Sequence, residues 1–453
     1  MVLSDLIYRA PDGNMVTALH PEYGRRDKLL NQLRKTITTR QDITLDWFSF
    51  GFRLKEKGYI TIQAMGKIDS KQYLPTAAMP FFLNGAKMSP SSTNNINLRT
   101  LGMDAQIYTE IGGGYSYKIN DIWTVGGKFK FLMGTAYIGS HFNKLDINSS
   151  TQTTQIQGEG NVLLAAPINM TAFPQHLNYD VFDDFDYKQL LWLLPEEEIQ
   201  EAMNHLLKFA KPAGYGAAID LGFTATPLKQ LQISVGLNDL GFIYWHNARN
   251  YKAAIDTTFN GVGPFDFGDY IYEGEFIEDS LASAIGHQME AYGRAFHLSD
   301  PSSGFCRMIT TKLNIGIDGR FFDNRLSVGL LSKTMLYQGR LSEEITLGVA
   351  GKPFNWLNAA LSYSLFDNGK LSNIGAGLSI IPYDGINITL AADYIPFKYT
   401  QINDKTILGT NSKNFNIALG FSIVWGTNPQ KDHPQRDKKA RKSTPKQDEQ
   451  EEQ

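Results

Sequence analysis

Phe415-Asn416-Ile417-Ala418-Leu419-Gly420-Phe421-Ser422-Ile423-Val424-Trp425 is the stretch whose reading decides the fold. Phe415, Ile417, Leu419, Phe421, Ile423 and Trp425 fall on one side of an extended chain, and Asn414, Asn416, Ala418, Gly420 and Ser422 on the other. Strand side chains point alternately to the two faces, so this segment is a strand with one apolar face and one small, polar face. The same split recurs upstream. Trp123, Val125, Phe129, Phe131, Met133 and Tyr137 oppose Thr124, Gly126, Lys128, Lys130 and Gly134. Ile309, Leu313, Ile315, Ile317 and Phe321 oppose Thr310, Lys312, Asn314, Gly316, Asp318 and Arg320. In a soluble sandwich the polar face would meet water; in a membrane barrel it lines the lumen and the apolar face meets lipid.

Strand length separates these two cases. The strand-like runs are 42–55, 59–73, 101–119, 122–148, 215–227, 231–245, 307–322, 325–337, 342–353, 356–366, 371–382, 386–397 and 412–425. Most are about twice the roughly 5 to 6 residues usual in soluble proteins. They match the roughly 9 to 11 residues of a tilted bilayer crossing. Short links at Glu56-Lys57-Gly58, Asn120-Asp121, Asp323-Asn324, Phe354-Asn355 and Tyr383-Asp384-Gly385 alternate with longer ones at 75–100, 149–213, 246–306 and 399–411. Asn, Asp and Gly are the residues that tight hairpins need. Short and long links at opposite ends suit an outer-membrane barrel, with periplasmic turns and extracellular loops.

The expected fold class is therefore all-β, a single antiparallel transmembrane β-barrel of about 14 strands spanning residues 1–425. The visible crossings number about thirteen, and single-chain bacterial barrels are even. Residues 2–8 then read as the remnant of one more strand. The opening Met1-Val2-Leu3-Ser4-Asp5-Leu6 has no basic stretch, apolar core and cleavage site of a secretory signal. The expectation is that the signal and part of the first strand are missing. The run 153–166 reads as the return arm of a hairpin projecting above the membrane. Residues 195–211 and 279–296 read as short helices in external loops, the first with Pro195 and three glutamates at its start. Residues 426–453, nearly devoid of apolar side chains, read as a disordered, charged periplasmic tail.

Composition agrees with this reading. Gly (41), Phe (27) and Tyr (21) are abundant, as a barrel wall requires. Mean hydropathy is −0.26, and no run of about 18 apolar residues marks a transmembrane helix. Net charge is only −3, which makes no case for nucleic acid as a partner. The single cysteine, Cys306, cannot form an internal disulfide. The eight histidines show no metal-ligand spacing. Asp180, Asp183, Asp184 and Asp186 lack the spacing of a calcium loop. Gly112-Gly113-Gly114 sits inside a strand pattern with no Lys-Ser/Thr after it, so it reads as a bend or bulge rather than a phosphate loop. No catalytic residue, metal or cofactor is expected, and the chain does not read as an enzyme.

Two sets of residues are candidates for function. Met79, Phe81, Phe82 and Leu83 form an apolar patch in an external link, where they would plug the lumen, line a ligand entry or dock a protein. Lys128, Lys130, Lys312, Asp318 and Arg320 should face the lumen as a mutual salt-bridge network.

The phrases Ser49-Phe50-Gly51-Phe52-Arg53, Tyr115-Ser116-Tyr117-Lys118-Ile119-Asn120-Asp121, Trp123-Thr124-Val125-Gly126-Gly127-Lys128 and Leu237-Asn238-Asp239-Leu240-Gly241 resemble an uncharacterised bacterial outer-membrane barrel family. That family is similar to the FadL and OmpP1 group of hydrophobic-compound transporters and to the shuttle barrels of type IX secretion. The resemblance covers roughly residues 2–425 and implies a porin-like, Gram-negative outer-membrane location. It implies passage or binding of small hydrophobic compounds, or alternatively a scaffold for surface or secreted proteins. The N-terminal hatch of the FadL group is absent or not included here, and the tail after Trp425 departs from barrels that finish on a terminal aromatic. A soluble β-rich binding module is the reading from outside the membrane class.

Overall fold

The structure, a computed structural model, describes residues 36–78, 94–149, 153–167, 211–260, 296–337, 339–366, 371–383, 385–393 and 416–424, with the short pieces 7–11, 15–17, 271–272, 275–276, 399–403 and 406–409 and residues 23, 25 and 170. Long antiparallel strands make up nearly all of it. They are β1 (Thr36–Leu54), β2 (Gly58–Pro75), β3 (Asn94–Asn97), β4 (Gly102–Lys118), β5 (Trp123–Ser149), β6 (Thr153–Ala165), β7 (Gly214–Leu228), β8 (Leu231–Trp245) and β9 (Ala248–Asn260). The second half supplies β10 (Phe296–Ser302), β11 (Phe305–Met308), β12 (Thr311–Phe321), β13 (Leu326–Tyr337), β14 (Arg340–Phe354), β15 (Leu357–Phe366), β16 (Leu371–Tyr383), β17 (Ile386–Asp393) and β18 (Asn416–Ile423). A 3-10 turn spans Thr76–Ala78, and no helix of the described residues is long and apolar enough to cross a membrane.

Antiparallel registers run without a break through β1, β2, β4, β5, β7, β8, β12, β13, β14, β15, β16, β17 and β18, all members of one sheet. The remaining segments are continuations of these passes. Along β5, the first half from Trp123 to Gly134 pairs with β7, and the second half from Tyr137 to Ser149 pairs with β6. So β6 and β7 occupy one rank of the sheet, interrupted by residues 166–213. In the same way β9 prolongs β8, and β10 and β11 prolong β12. Ladders β5–β6, β6–β9 and β9–β10 carry the sheet past its other strands. The expected projecting hairpin is there, but it is a broader extension than the sequence suggested. Residues 246–306, read as a loop, contribute β9, β10 and β11 to it.

The expected count of about 14 strands is corrected by these breaks: four long passes (β3 with β4, β6 with β7, β8 with β9, and β10 with β11 and β12) are divided into collinear pieces, so eighteen segments make up thirteen passes. Residues 2–6 lie outside the described residues, and Ile7–Arg9 pairs with Met15–Thr17 in a separate two-stranded sheet. That piece is not a strand of the main sheet. Residues 79–83, 180–186, 195–210, 279–295 and 425–453, which include the candidate entry patch, the acidic cluster, both helices and the tail, also lie outside the described residues.

The outward face is apolar over every pass. Along β1 it carries Ile43, Leu45, Trp47, Phe48, Phe50 and Phe52, and along β18 Ile417, Leu419 and Phe421, all exposed. Among the described residues such exposed large apolar side chains outnumber buried apolar ones more than two to one. Leaving one in water forgoes about 1.5 to 3 kcal/mol, whereas a whole domain is stable by only about 5 to 15 kcal/mol. Such a surface is compatible with hydrocarbon and not with water. Near the short turns the outward residues become aromatic: Tyr115, Tyr117, Trp123, Phe354 and Trp356 are all exposed. Phe354 and Trp356 stack with ring centres 5.6 Å apart. An aromatic girdle below an apolar band is the arrangement of a barrel wall at a membrane interface.

Two sequence expectations about the faces change. The ladder between β4 and β5 skips Thr135, pairing Ile107 with Ala136 and Tyr108 with Gly134. One extra residue reverses the alternation beyond it. Tyr137 is therefore buried on the inner face instead of sharing the outer face with Trp123 and Phe131. The Gly112-Gly113-Gly114 run makes no bend or bulge; it pairs regularly with Lys130, Phe129 and Lys128. A Cβ on Gly112 would lie 3.3 Å from the Lys128 stem and 3.4 Å from Gln63, so its glycine makes room for inward side chains.

Candidate functional site

The inner face of the first eight passes holds long polar and aromatic side chains, and their centre is Asp239. It occupies a register shift on β8 between Leu237 and Leu240, with a positive φ of 59°. Asp and Asn tolerate this left-handed conformation better than other side-chain-bearing residues, and the pair Asn238-Asp239 is suited to it. Its N–H donates to Asp220 Oδ1 at 2.8 Å, and its carbonyl accepts from the Thr311 hydroxyl at 3.2 Å. The bulge turns the Asp239 carboxylate toward three ammonium groups: Lys130 at 2.5 Å, Lys67 at 3.4 Å and Lys312 at 3.5 Å.

Glu110, with its side chain 0% exposed, completes the cluster through Lys67 at 2.8 Å and Lys130 at 3.4 Å. Asp220 meets Lys130 at 2.8 Å. Lys67, Lys130 and Lys312 thus face Glu110, Asp220 and Asp239, three charges against three. Desolvating so many ions is costly, and such a cluster survives only when every member is paired. Lys67 stands on β2 and Asp239 on β8, with β4, β5 and β7 between them, so the contact crosses the concave side of the sheet.

The sequence candidates fall into two places. Lys130 and Lys312 meet in the cluster. Lys128 joins its edge, donating to Gln63 at 2.5 Å, while Gln63 donates to Glu110 at 2.9 Å. Asp318 and Arg320 pair with each other at 2.9 Å, and Arg320 also reaches Gln232 at 2.6 Å, nearer the short turns. No ion pair among the described residues joins them to the cluster. Sequence reading missed Lys67, Glu110, Asp220 and Asp239. The first three lie at inward positions of their strands and could have been found by alternation; Asp239 breaks the alternation, and its signal was the Asn-Asp pair.

Above the cluster a second set of side chains spans the bore. Arg40 of β1 contacts Met335 Sδ of β13. Lys71 of β2 lies 3.2 Å from the Tyr337 ring centre, and Arg340 of β14 lies 3.8 Å from that of Tyr73. Lys71 is also held by Asp69 at 3.0 Å and Thr310 at 2.6 Å. On the β4 to β12 side of this bridge lies an apolar cluster that includes Tyr108, Leu132, Tyr137, Ile243, Trp245 and Ile309, with Phe305 packed against it. The Tyr137 hydroxyl donates to Asp104, which also meets His141 at 3.0 Å. On the far side, many inward positions of β14 to β18 are small: Thr346, Gly348, Ser362, Gly377, Ser379, Thr389, Ala391, Ala418 and Gly420. Half of the bore is packed by wall side chains, and the other half is lined mainly by small residues, with Glu344, Lys352 and Asp393 as the charges among them. No group of three or more potential metal ligands occurs among the described residues.

Residues 1–393 match the model of a family described as "Family of unknown function (DUF5723)". The chain belongs to that family. None of the curated proteins matches it. Among solved structures it is similar to the Pseudomonas putida toluene transporter TodX, at 10% identity and a TM-score of 0.29, covering 86% of this chain and 91% of that one. It is similar also to a Pseudomonas aeruginosa FadL homologue, at 11% identity and a TM-score of 0.28, covering 76% and 71%. Salmonella typhi OmpF in complex with daunomycin gives 7% identity and a TM-score of 0.23, covering 81% and 97%.

Proposed function

We propose that this family member is an outer-membrane β-barrel that binds small hydrophobic compounds and passes them through its wall or bore. The observation that carries the reading is an apolar, aromatic cluster inside a sheet whose outside is also apolar. Interiors of barrels that conduct ions and hydrophilic solutes are polar, whereas Tyr108, Leu132, Trp245 and Phe305 offer an apolar solute a place to leave water. Closure of the sheet belongs to the same reading. β1 and β18 both run toward the short turns, so they meet in parallel or through one more ascending strand. Met79, Phe81, Phe82 and Leu83 are proposed as the entry above the bore, and Lys128, Lys130, Lys312, Asp318 and Arg320 as its structural charges.

Proteoliposomes containing the protein should take up N-phenylnaphthylamine faster than protein-free vesicles, with no matching gain for glucose. Exchange of both Phe81 and Phe82 for alanine should slow that uptake. Equal gains for the hydrophobic and the hydrophilic solute would refute the reading. A second reading, a scaffold for surface or secreted proteins, is favoured by the extension of β5, β6, β9 and β10, which carries Lys144, Gln157, Asn161 and Asp256 on one polar face. Recovery of a stoichiometric protein partner after detergent extraction would favour it over transport.

A further inference from the structure

We propose that the packed half of the bore is a gate, with the ion pairs centred on Asp239 as its latch and the aromatic cluster above them as the chamber it opens. The proposal rests on the hydrophobic-compound reading and adds to it the moving part and the class of molecule admitted. Two independent observations point to it.

The first is the latch geometry. Asp239 is the one carboxylate that meets Lys67, Lys130 and Lys312 together, and these come from three passes on both sides of its own. The carboxylate depends on a single bulged residue, so one local change releases three contacts at once. The second is the chamber. Gln106 is 1% exposed and neither its amide nitrogen nor its amide oxygen has a hydrogen-bond partner; Trp245 Nε1, in a side chain that is 0% exposed, has none either. Gln106 stands directly opposite Tyr137 in the ladder, and the Tyr137 ring lies 5.5 Å from that of Trp245. Buried polar atoms without partners are costly, and a native structure keeps them where another state or a ligand satisfies them. The closed chamber thus presents an amide and an indole N–H among aromatic rings, which suits a flat hydrophobic compound with one hydrogen-bonding group.

The test places a thiol in the chamber. In a Cys306→Ser background, Gln106→Cys and, separately, Leu132→Cys are labelled with a small water-soluble maleimide, with and without Asp239→Asn. Asparagine keeps the left-handed backbone possible and removes only the charge. Heat-modifiable gel migration confirms that each variant has folded as a barrel, and Leu132→Cys stands in if Gln106→Cys has not. Asp239→Asn should accelerate labelling about tenfold or more, since breaking a buried ion cluster shifts the closed state by at least that factor. Adding Lys312→Met, which removes the one cation of the three that neither Glu110 nor Asp220 holds, should return labelling toward the parent rate. Unchanged labelling upon Asp239→Asn overturns the gate, as does fast labelling already present in the parent. N-phenylnaphthylamine uptake is read separately: if labelling responds and uptake is absent, the gate stands and the transport reading fails.

Discussion

At the scale of the residue, Asp239 couples a backbone constraint to an electrostatic one. Its positive φ of 59° restricts the position to Asp, Asn or Gly, and its three lysine contacts require a carboxylate. The two demands can be separated. Asp239→Asn should destabilise the barrel by about 3 to 5 kcal/mol, as expected when one partner of a buried pair is removed. Asp239→Ala should cost about 1 to 2 kcal/mol more because alanine resists the left-handed region. Urea titration of protein refolded into micelles reads both, and equal costs for the two variants would show that the bulge relaxes. The inward facing of Lys130 and Lys312 follows from period two along their strands. That they share one carboxylate could not be read, because Asp239 sits where the alternation is interrupted.

At the scale of the element, each strand is a lipid-facing row set against an interior row, and depth in the bilayer decides what a charge costs. Leu347 lies midway along β14, opposite Leu330 and Tyr363 on the outer face. Leu347→Arg should cost about 2 to 4 kcal/mol in a bilayer-supported urea titration, and Leu54→Arg, next to a short turn, only about 0 to 1 kcal/mol. Equal costs at both depths would contradict a bilayer-spanning row. The positions of the turns and the lengths of β13 to β16 were legible because they follow from local residue types. The bounds of β8 were legible too, but β9 was not, since the pass continues through His246-Asn247 with only a two-residue break, which reads as the start of a loop. The bulge at Thr135 was equally silent, as nothing in its side chain marks the extra residue.

At the scale of the whole molecule, the outside is apolar, one half of the interior is packed and the other half is lined by small residues. Tryptophans report on this directly. Trp356 is outward and exposed whereas Trp245 is inward and buried. In variants that retain only one of these tryptophans, brominated lipids should quench Trp356 strongly and Trp245 weakly; the reverse order would overturn the assignment of faces. The sequence by itself determined that the chain forms long antiparallel strands with one apolar face, joined by tight turns at one end. These features depend on neighbours one or two positions away, which any single stretch displays. Only the tertiary structure decided that Lys67 reaches Asp239, that Tyr73 lies under Arg340, and that β6 and β7 are halves of one pass. Such contacts depend on how far thirteen passes curve and stagger, a sum over every bulge and register between residues far apart in the chain.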